Sequence, residues 1–268
     1  MSLSRKLGLN DLEFLLSRRS FLTNRTKRPL LEGLIGRLHP VDTDIPLRRL
    51  GPAGDGGYLV PDDLDGIVAC FSPGVSTVSG FEQDCAELGM QVFMADASVE
   101  GPAMEHQRFS FAKRFVGAFT DGDFISLEDW VAESGVDADS DLLLQMDIEG
   151  FEYETLLGMP ARLLNRFRVL VIECHRLDQL WNRYYFQFVS RAFEKLLTSH
   201  HCVHIHPNNA GPVHRHAGIK IPVLAEFTFM RKDRACSTRP ATRFPHPLDS
   251  DNLAQDSPSL ILPRNWYG

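Results

Sequence analysis

A chain of 268 residues can bury one large core, and its 43% hydrophobic and 24% charged residues are ordinary for a globular protein. The formal net charge of −7 argues against a nucleic-acid-binding protein, whose contact surface would be basic, and no apolar run approaches the roughly 20 residues of a membrane span. The five cysteines share no close spacing, which indicates free thiols and a cytoplasmic protein.

Residues 1–45 are interpreted as an N-terminal helical extension. Amphipathic patterns at 12–21 and 30–38 predict two helices, and the second must end before Pro40 because the residue preceding a proline avoids the helical region. This extension either covers a substrate or forms the surface of a homo-oligomer, and the sequence leaves both open.

A glycine-rich run follows, from Gly54 through Asp55 to Tyr58. Its glycines permit a tight turn or a close approach of the backbone to a ligand. A plain hairpin turn accounts for them. The alternative is a turn at the mouth of a ligand site, in which Asp55 and Tyr58 supply the polar groups.

The next segment predicts a strand at 67–71, a turn containing Gly74, a helix at 79–88 and a strand at 91–95 that ends in Asp96. This order is typical of the nucleoside-binding half of a Rossmann-like unit, in which the acid accepts hydrogen bonds from ribose hydroxyls. The glycine pattern G-x-G-x-x-G is missing, which argues against a dinucleotide and an NAD-linked oxidoreductase. A nucleoside without phosphates is favoured, and S-adenosylmethionine (SAM) is such a ligand.

Further cofactor contacts are expected on either side of this unit. The amino acid end of SAM is expected near Gly74, Ser76 and Glu82, although Glu82 also suits the first turn of a helix as a complement to its dipole. A third strand is predicted within 109–119, and Asp121 follows it. Asp121 contacts adenine or belongs simply to a turn.

Residues 141–175 predict two buried strands that flank a helix. Continuous apolar runs at 142–146 and 169–172 suit a parallel sheet covered on both faces. Ionisable residues follow each run, at the edge where open α/β sheets place their ligand crevice; they are Asp147, Glu149, Glu152, Glu173 and His175. Glu149 and Glu152 are alternatively complements to the start of the next helix.

The last part of the chain predicts a helix at 184–197 and two strands at 202–206 and 223–230, joined by a loop and therefore antiparallel at one edge of the sheet. His204 and His206 share one face of the first of these strands. Aromatic residues at 181–186 offer a platform for a sugar or belong to the core. Residues 235–268 are rich in proline and predict an irregular tail, packed on the domain or trailing from it.

Several motifs occur in the order found in FkbM-type SAM-dependent methyltransferases, and the chain resembles that family over roughly residues 47–232. The motifs are Asp147-Ile148-Glu149-Gly150-Phe151-Glu152, Ile172-Glu173-Cys174-His175, the Asp55–Tyr58 turn, Phe81-Glu82 and His204–Asn209. The resemblance implies a Rossmann-like class I methyltransferase fold for residues 46–234, with a seven-stranded, mostly parallel sheet whose last strand is antiparallel.

The resemblance also implies O-methylation of a sugar, glycan or other polyhydroxylated small molecule. SAM is the expected cofactor, and its expected contacts are Asp55, Tyr58, Gly74, Ser76, Glu82, Asp96, Ala97 and Asp121. The rival function is a non-catalytic SAM-fold or nucleotide-sugar-binding module. Such a module would need none of the ionisable residues that follow the strands at 142–146 and 169–172.

Methyl transfer to a hydroxyl requires a base or a metal near the hydroxyl proton. The hypothesis is that His175 is the general base and that Asp147 or Glu173 orients it or the acceptor. His206 is expected to reach the same mouth. A metal stays open as the alternative, with Asp147, Glu173, His175 and His206 as ligands of Mg²⁺ or Mn²⁺.

Overall fold

The computed structural model describes residues 23–253 and 258–268. The helix predicted at 12–21 lies outside these residues. Within them, the longest helices are either too short or too polar to cross a bilayer. All five cysteines are free, and only Cys236 is exposed.

The strands are β1 (Val41–Thr43), β2 (Leu47–Leu50), β3 (Tyr58–Pro61), β4 (Ile67–Pro73), β5 (Gln91–Ala95), β6 (Phe109–Ala112), β7 (Phe115–Gly117), β8 (Phe124–Ser126), β9 (Asp141–Met146), β10 (Phe167–Cys174), β11 (His200–Pro207), β12 (Val213–His216), β13 (Ile219–Pro222), β14 (Ala225–Arg231) and β15 (Thr238–Pro240). The α-helices are Arg28–Arg37, Gly80–Glu87, Leu127–Glu133, Glu152–Gly158, Ala161–Leu164 and Arg183–Ser199. Short 3₁₀ helices occupy Leu177–Trp181, Lys232–Arg234 and Arg264–Trp266.

Seven strands form the central sheet in the order β11-β14-β10-β9-β4-β5-β6. All neighbours are parallel except β14, which is antiparallel to both β10 and β11. Every residue of β10 is buried, as a sheet covered on both faces requires. The predicted fold class, an α/β protein with a seven-stranded, mostly parallel sheet, is confirmed.

The two faces of the sheet are covered by different elements. Leu170 and Ile172 of β10 pack in one apolar cluster with the helices Leu127–Glu133, Glu152–Gly158 and Arg183–Ser199. Val169 and Val171 point the other way and pack in a second cluster with residues of the β2–β3 hairpin and the helix Gly80–Glu87. This alternation follows from the period of two in a strand.

Local sequence signals set several element boundaries. Ser126 is the N-cap of the helix Leu127–Glu133, as the sequence predicts. Its Oγ atom accepts a hydrogen bond from the backbone N–H of Asp129 at 3.0 Å. The glycine-rich run at 51–57 joins the antiparallel strands β2 and β3, so the hairpin interpretation is correct. The predicted loop between β11 and β14 contains a further small hairpin, β12–β13, which the sequence did not indicate.

The described parts of both flanking segments pack against the rest of the chain. The helix Arg28–Arg37 buries Leu31, Leu34 and Ile35, which is the second predicted N-terminal helix. In the proline-rich segment, β15 pairs with β1, and Trp266 is buried with its ring centroid 5.9 Å from that of Phe227. The C-terminal segment is therefore largely irregular but part of the core.

Candidate active site

Four strands of the parallel part of the sheet end beside one another and deliver the residues that the sequence singled out. Gly74 follows β4, Asp96 follows β5, Asp147 follows β9 and His175 follows β10. Because these strands are neighbours in the order β10-β9-β4-β5, their following residues share one edge of the sheet. Asp96, Asp147 and His175 thus lie on the same side of the molecule, as the sequence predicts.

A cavity of about 310 Å³ opens at this edge. Its walls are largely apolar and include Phe115, Phe124 and Phe151, whose neighbouring ring centroids lie 5.4 and 5.5 Å apart. Asp96 and Asp147 also line it. A flat aromatic heterocycle with a polar sugar attached matches such a cavity, because aromatic walls favour stacking and a carboxylate accepts hydroxyl hydrogens.

The carboxylate of Asp96 is held by the loops that follow β4 and β5. Its Oδ2 atom accepts a hydrogen bond from the backbone N–H of Val75 at 3.0 Å, and its Oδ1 atom accepts one from that of Ser98 at 2.7 Å. Ala97, the residue between Asp96 and Ser98, is partly buried and is not part of the cavity wall. The two loops therefore fix the carboxylate at the cavity wall.

A second, smaller cavity of about 40 Å³ adjoins the first, since Gly74 and Asp147 line both. The rest of its wall is mostly polar and consists of Asp55, Gly56, Tyr58, Ser76, Val78, Glu82 and Gln145. Most of the residues expected to contact the cofactor thus meet around these two spaces. The Asp55–Tyr58 turn is both a hairpin and part of a cavity wall.

Glu82 is a buried residue of this wall, not an exposed acid of a helix start. Its Oε1 atom lies 2.5 Å from the Oγ atom of Ser72, which is 2.7 Å from the Oε1 atom of Gln145. One hydroxyl hydrogen serves only one of these acceptors. Burial raises the pKa of Glu82, and a protonated Glu82 would supply the missing hydrogen.

Asp121 lies apart from both cavities. It is exposed, forms an isolated bridge with Phe124 and belongs to the turn that leads into β8. Its backbone and that of Phe124 exchange hydrogen bonds of 3.2 and 2.9 Å. The turn interpretation of Asp121 therefore matches the structure, whereas an adenine contact does not follow from its position.

His175 is surrounded by carboxylates. Its Nδ1 atom lies 2.9 Å from the Oε1 atom of Glu152. Its Nε2 atom lies 3.4 Å from an oxygen of Glu149 and 3.9 Å from oxygens of both Asp147 and Glu173. Asp147 and Glu173, which the sequence proposed as orienting groups, are thus beyond hydrogen-bond distance, and Glu152 occupies that position.

The backbone after β9 explains why Glu152 and not Asp147 reaches the imidazole. Glu149 and Gly150 have φ angles of 56° and 108°, so the chain reverses immediately after Ile148. Glu152 then turns back, and its Oε1 atom accepts hydrogen bonds from the backbone N–H groups of Ile148 and Gly150 at 3.2 and 2.9 Å. The glycine at position 150 was the available signal for this reversal.

The environment shifts the pKa values of this group. Burial is the largest cause that raises the pKa of Asp147 to about 6; His175 opposes the shift, and Glu149, Glu152 and Asp55 add to it. Burial, followed by the charges of Asp147 and Glu226, raises the pKa of Glu173 to about 10. Burial and these charges therefore favour the neutral form of Glu173, which can donate a hydrogen bond.

His206 belongs to a second buried group, on the strands beyond β10. It is paired across the sheet with Glu226 of β14, and its Nδ1 atom lies 3.6 Å from Asp249. Asn252 donates to Glu226 at 2.7 Å. Glu226 is also paired with Glu173, so the two groups adjoin, but His206 is not at the imidazole of His175.

His204 is a buried histidine with a partner, its Nε2 atom lying 2.8 Å from Oδ1 of Asp249. Among the aromatic residues at 181–186, Trp181 and Phe186 are buried and Tyr184 is exposed. Tyr185 donates its hydroxyl hydrogen to the carbonyl oxygen of His175 at 3.2 Å. Core packing thus accounts for two of these aromatic residues.

The structure changes the set of residues that could hold a metal. Among the described residues, Asp147, Glu149 and His175 offer ligand atoms that all lie within 4.8 Å of one another. Glu173 and His206, which the sequence included, are not in this set. Two carboxylates and one imidazole fit the ligand chemistry of Mn²⁺ or Mg²⁺. Glu152 would then bind the other imidazole nitrogen, Nδ1, and orient the ring.

No protein-family model and no curated protein sequence matches the chain. Among solved structures, N-methyltransferase NodS from Bradyrhizobium japonicum is similar with 10% identity and a TM-score of 0.33, over 76% of this chain and 98% of that one. TrmN from Thermus thermophilus has 11% identity and a TM-score of 0.31, over 61% and 44%.

A third similar structure is 1,6-didemethyltoxoflavin-N1-methyltransferase from Burkholderia thailandensis, solved with S-adenosylhomocysteine, at 14% identity and a TM-score of 0.30. It covers 62% of this chain and 72% of that one. Similarities this weak carry no conclusion about function.

Proposed function

We propose that this chain is a SAM-dependent O-methyltransferase that acts on a hydroxyl of a sugar or another polyhydroxylated small molecule. The observation that carries the proposal is the pair of adjoining cavities, one aromatic with Asp96 in its wall and one small and polar, which meet at Gly74 and Asp147. The resemblance to FkbM-type methyltransferases over roughly residues 47–232 adds support.

In this proposal the larger cavity takes the adenosine part of SAM and the smaller one takes its amino acid end. The ribose hydroxyls would donate to Asp96, as at the corresponding acid of Rossmann-like units. Phe115, Phe124 and Phe151 would enclose the adenine. The smaller cavity carries the carboxyl groups of Asp55 and Asp147, which favour an ammonium group.

SAM supplies a methyl group that is already activated by its bond to a positively charged sulfur. The chain must then align the acceptor hydroxyl and take up its proton. We assign the proton to Nε2 of His175, with Asp147 and Glu173 facing the same nitrogen. The oxygen–carbon bond forms as the carbon–sulfur bond breaks. The electron pair of the carbon–sulfur bond stays on sulfur, and the hydroxyl proton moves to the imidazole.

We assign the activity to residues 46–234, flanked by the extension 1–45 and the tail 235–268. The tail contributes Asp249 and Asn252, which contact His204 and Glu226. His206 is not given a part in proton transfer, because both of its ring nitrogens are buried without a hydrogen-bond partner among the described residues.

The proposal is tested by isothermal titration with SAM, followed by transfer of isotopically labelled methyl to a panel of neutral glycans and polyols. Micromolar binding with transfer to one class of acceptor is the expected result. Binding without transfer to any of a broad panel would favour the alternative, a non-catalytic SAM-binding module. Absence of SAM binding would overturn the proposal.

A further inference from the structure

Glu152 is the most deeply buried carboxyl group at the edge of the sheet, with no exposed surface. A carboxylate in such a place is costly unless it is hydrogen-bonded. Its Oε1 atom accepts from the backbone N–H groups of Ile148 and Gly150, at 3.2 and 2.9 Å. A carboxylate that merely complements a helix dipole would be exposed on the first turn, so burial of Glu152 calls for another explanation.

The explanation lies in the imidazole of His175. Oε1 of Glu152 is 2.9 Å from Nδ1 of that ring. Because Oε1 already accepts from two backbone N–H groups, we infer that it acts as the acceptor here too, which places the ring hydrogen on Nδ1 and the lone pair on Nε2. Nε2 is the nitrogen that faces Asp147, which lines both cavities.

The backbone of His175 is held as well. The hydroxyl groups of Tyr153 and Tyr185 both donate to its carbonyl oxygen, at 2.9 and 3.2 Å. Arg176 then adopts a φ of 57° and turns the chain away from the edge. Tyr153 directly follows Glu152, so one short stretch of helix fixes the histidine at both its ring and its main chain.

We propose that Glu152 is the positioning residue that holds His175 as the proton acceptor of the reaction, a role that rests on the proposed function. Glu152 touches neither acceptor nor cofactor in this scheme. It fixes the tautomer and the orientation of the ring, and its negative charge stabilises the imidazolium that forms when the hydroxyl proton arrives.

The charges around the ring agree with this role. Burial alone would lower the pKa of His175, but the hydrogen bond and charge of Glu152, followed by the charges of Asp147 and Glu149, raise it above its ordinary value. Glu152 is the largest of the raising influences. Its removal should therefore make His175 a weaker base.

The test compares Glu152→Gln with Glu154→Gln. Both residues are acids in the first turn of the helix Glu152–Gly158, but Glu154 makes no hydrogen bond or ion pair with His175. For Glu152→Gln we expect kcat to fall by about 10²-fold, the size of a general-base contribution. The Kd for SAM should stay unchanged, and the acid limb of the kcat–pH profile should move to lower pH.

Nitrogen-15 NMR of the imidazole in the unaltered protein gives a readout that needs neither a variant nor activity. The expected result is hydrogen on Nδ1 of His175. Hydrogen on Nε2, or equal kinetic effects of the two substitutions, would overturn the positioning role. If the NMR result holds but no methyl transfer occurs, the proposed function fails while the geometry of the pair stands.

Discussion

Gly74 and Asp147 approach one another so closely that a β-carbon at position 74 would lie 1.6 Å from the carbonyl oxygen of Asp147. Gly74 also has a φ of 92°, a backbone conformation that residues with a β-carbon rarely adopt. The ends of β4 and β9 therefore meet across a glycine, and the two cavities join at the same point.

The substitution Gly74→Ala should consequently lower the free energy of unfolding by about 3 kcal/mol or more, because both the clash and the backbone strain are unavoidable. The measurement is urea-induced unfolding. Gly122→Ala is a matched control: its φ is 54°, but no atom lies within 4 Å of the added carbon. Equal losses in the two variants would contradict the close approach.

The substitution His175→Gln should reduce methyl transfer by at least about 10²-fold while SAM binding persists, because the proton acceptor is lost and the cavities are intact. Calorimetry gives the affinity and labelled methyl transfer gives the rate. The unaltered enzyme should lose activity as pH falls through the raised pKa of His175, since only the neutral imidazole accepts a proton. Unchanged turnover in the variant would reject the assignment.

The substitution Asp96→Asn should weaken SAM binding by about tenfold, since one strong hydrogen bond to ribose is lost. Asp121→Asn should leave the affinity unchanged, because Asp121 lies in an exposed turn outside both cavities. Isothermal titration compares the two. A large effect of Asp121→Asn would restore the adenine contact that the sequence allowed.

The substitution Glu173→Gln should stabilise the protein at pH 8. The pKa of Glu173 is raised to about 10 by burial and by neighbouring charges, so ionisation is disfavoured in the folded state. The free energy of unfolding is therefore highest below the pKa that a glutamate has in the unfolded chain, about 4.3. It declines as the pH rises from there toward 10. A neutral glutamine avoids this loss.

We expect the gain from Glu173→Gln to be on the order of 1–3 kcal/mol at pH 8 and smaller at pH 5. Denaturant unfolding at the two pH values measures it. A variant less stable than the original at pH 8 would show that the side chain is ionised and favourably paired. Activity should fall in the same variant if Glu173 donates to the acceptor.

Exhaustive treatment with EDTA should leave methyl transfer intact if His175 is the proton acceptor, because a metal on Nε2 would occupy the same lone pair. The measurement is the rate before and after chelation, with added Mn²⁺ and Mg²⁺ as controls. Loss of activity that either ion restores would favour a metal held by Asp147, Glu149 and His175 instead.

Much of the fold was predictable because its signals are local and continuous. The buried runs of β9 and β10 suit a covered sheet, and the acids that follow them lie at the edge that carries the candidate site. The antiparallel pairing of β11 and β14 followed from the lack of a helix between them. Each inference needed only one stretch of sequence.

The missed features depend on contacts between distant segments. Phe115 and Phe124 lie on the paired strands β7 and β8, Phe151 follows β9, and the three show no common period. The pairing of Glu152 with His175 depends on the positive φ of Glu149, which a glutamate rarely adopts. Asp249 reaches His204 from a segment whose prolines predicted only irregular chain.

The reversed direction of β14 bears on how such a molecule can diverge. Its first residues, and not its last, arrive at the edge where the parallel strands finish, so Glu226 stands beside Glu173 without a crossover helix. Changes of length in residues 208–224 or in the C-terminal segment would remodel that flank alone. A lineage could thus retain the half of the sheet built on β4, β5 and β9 while the other half adapts to new acceptors.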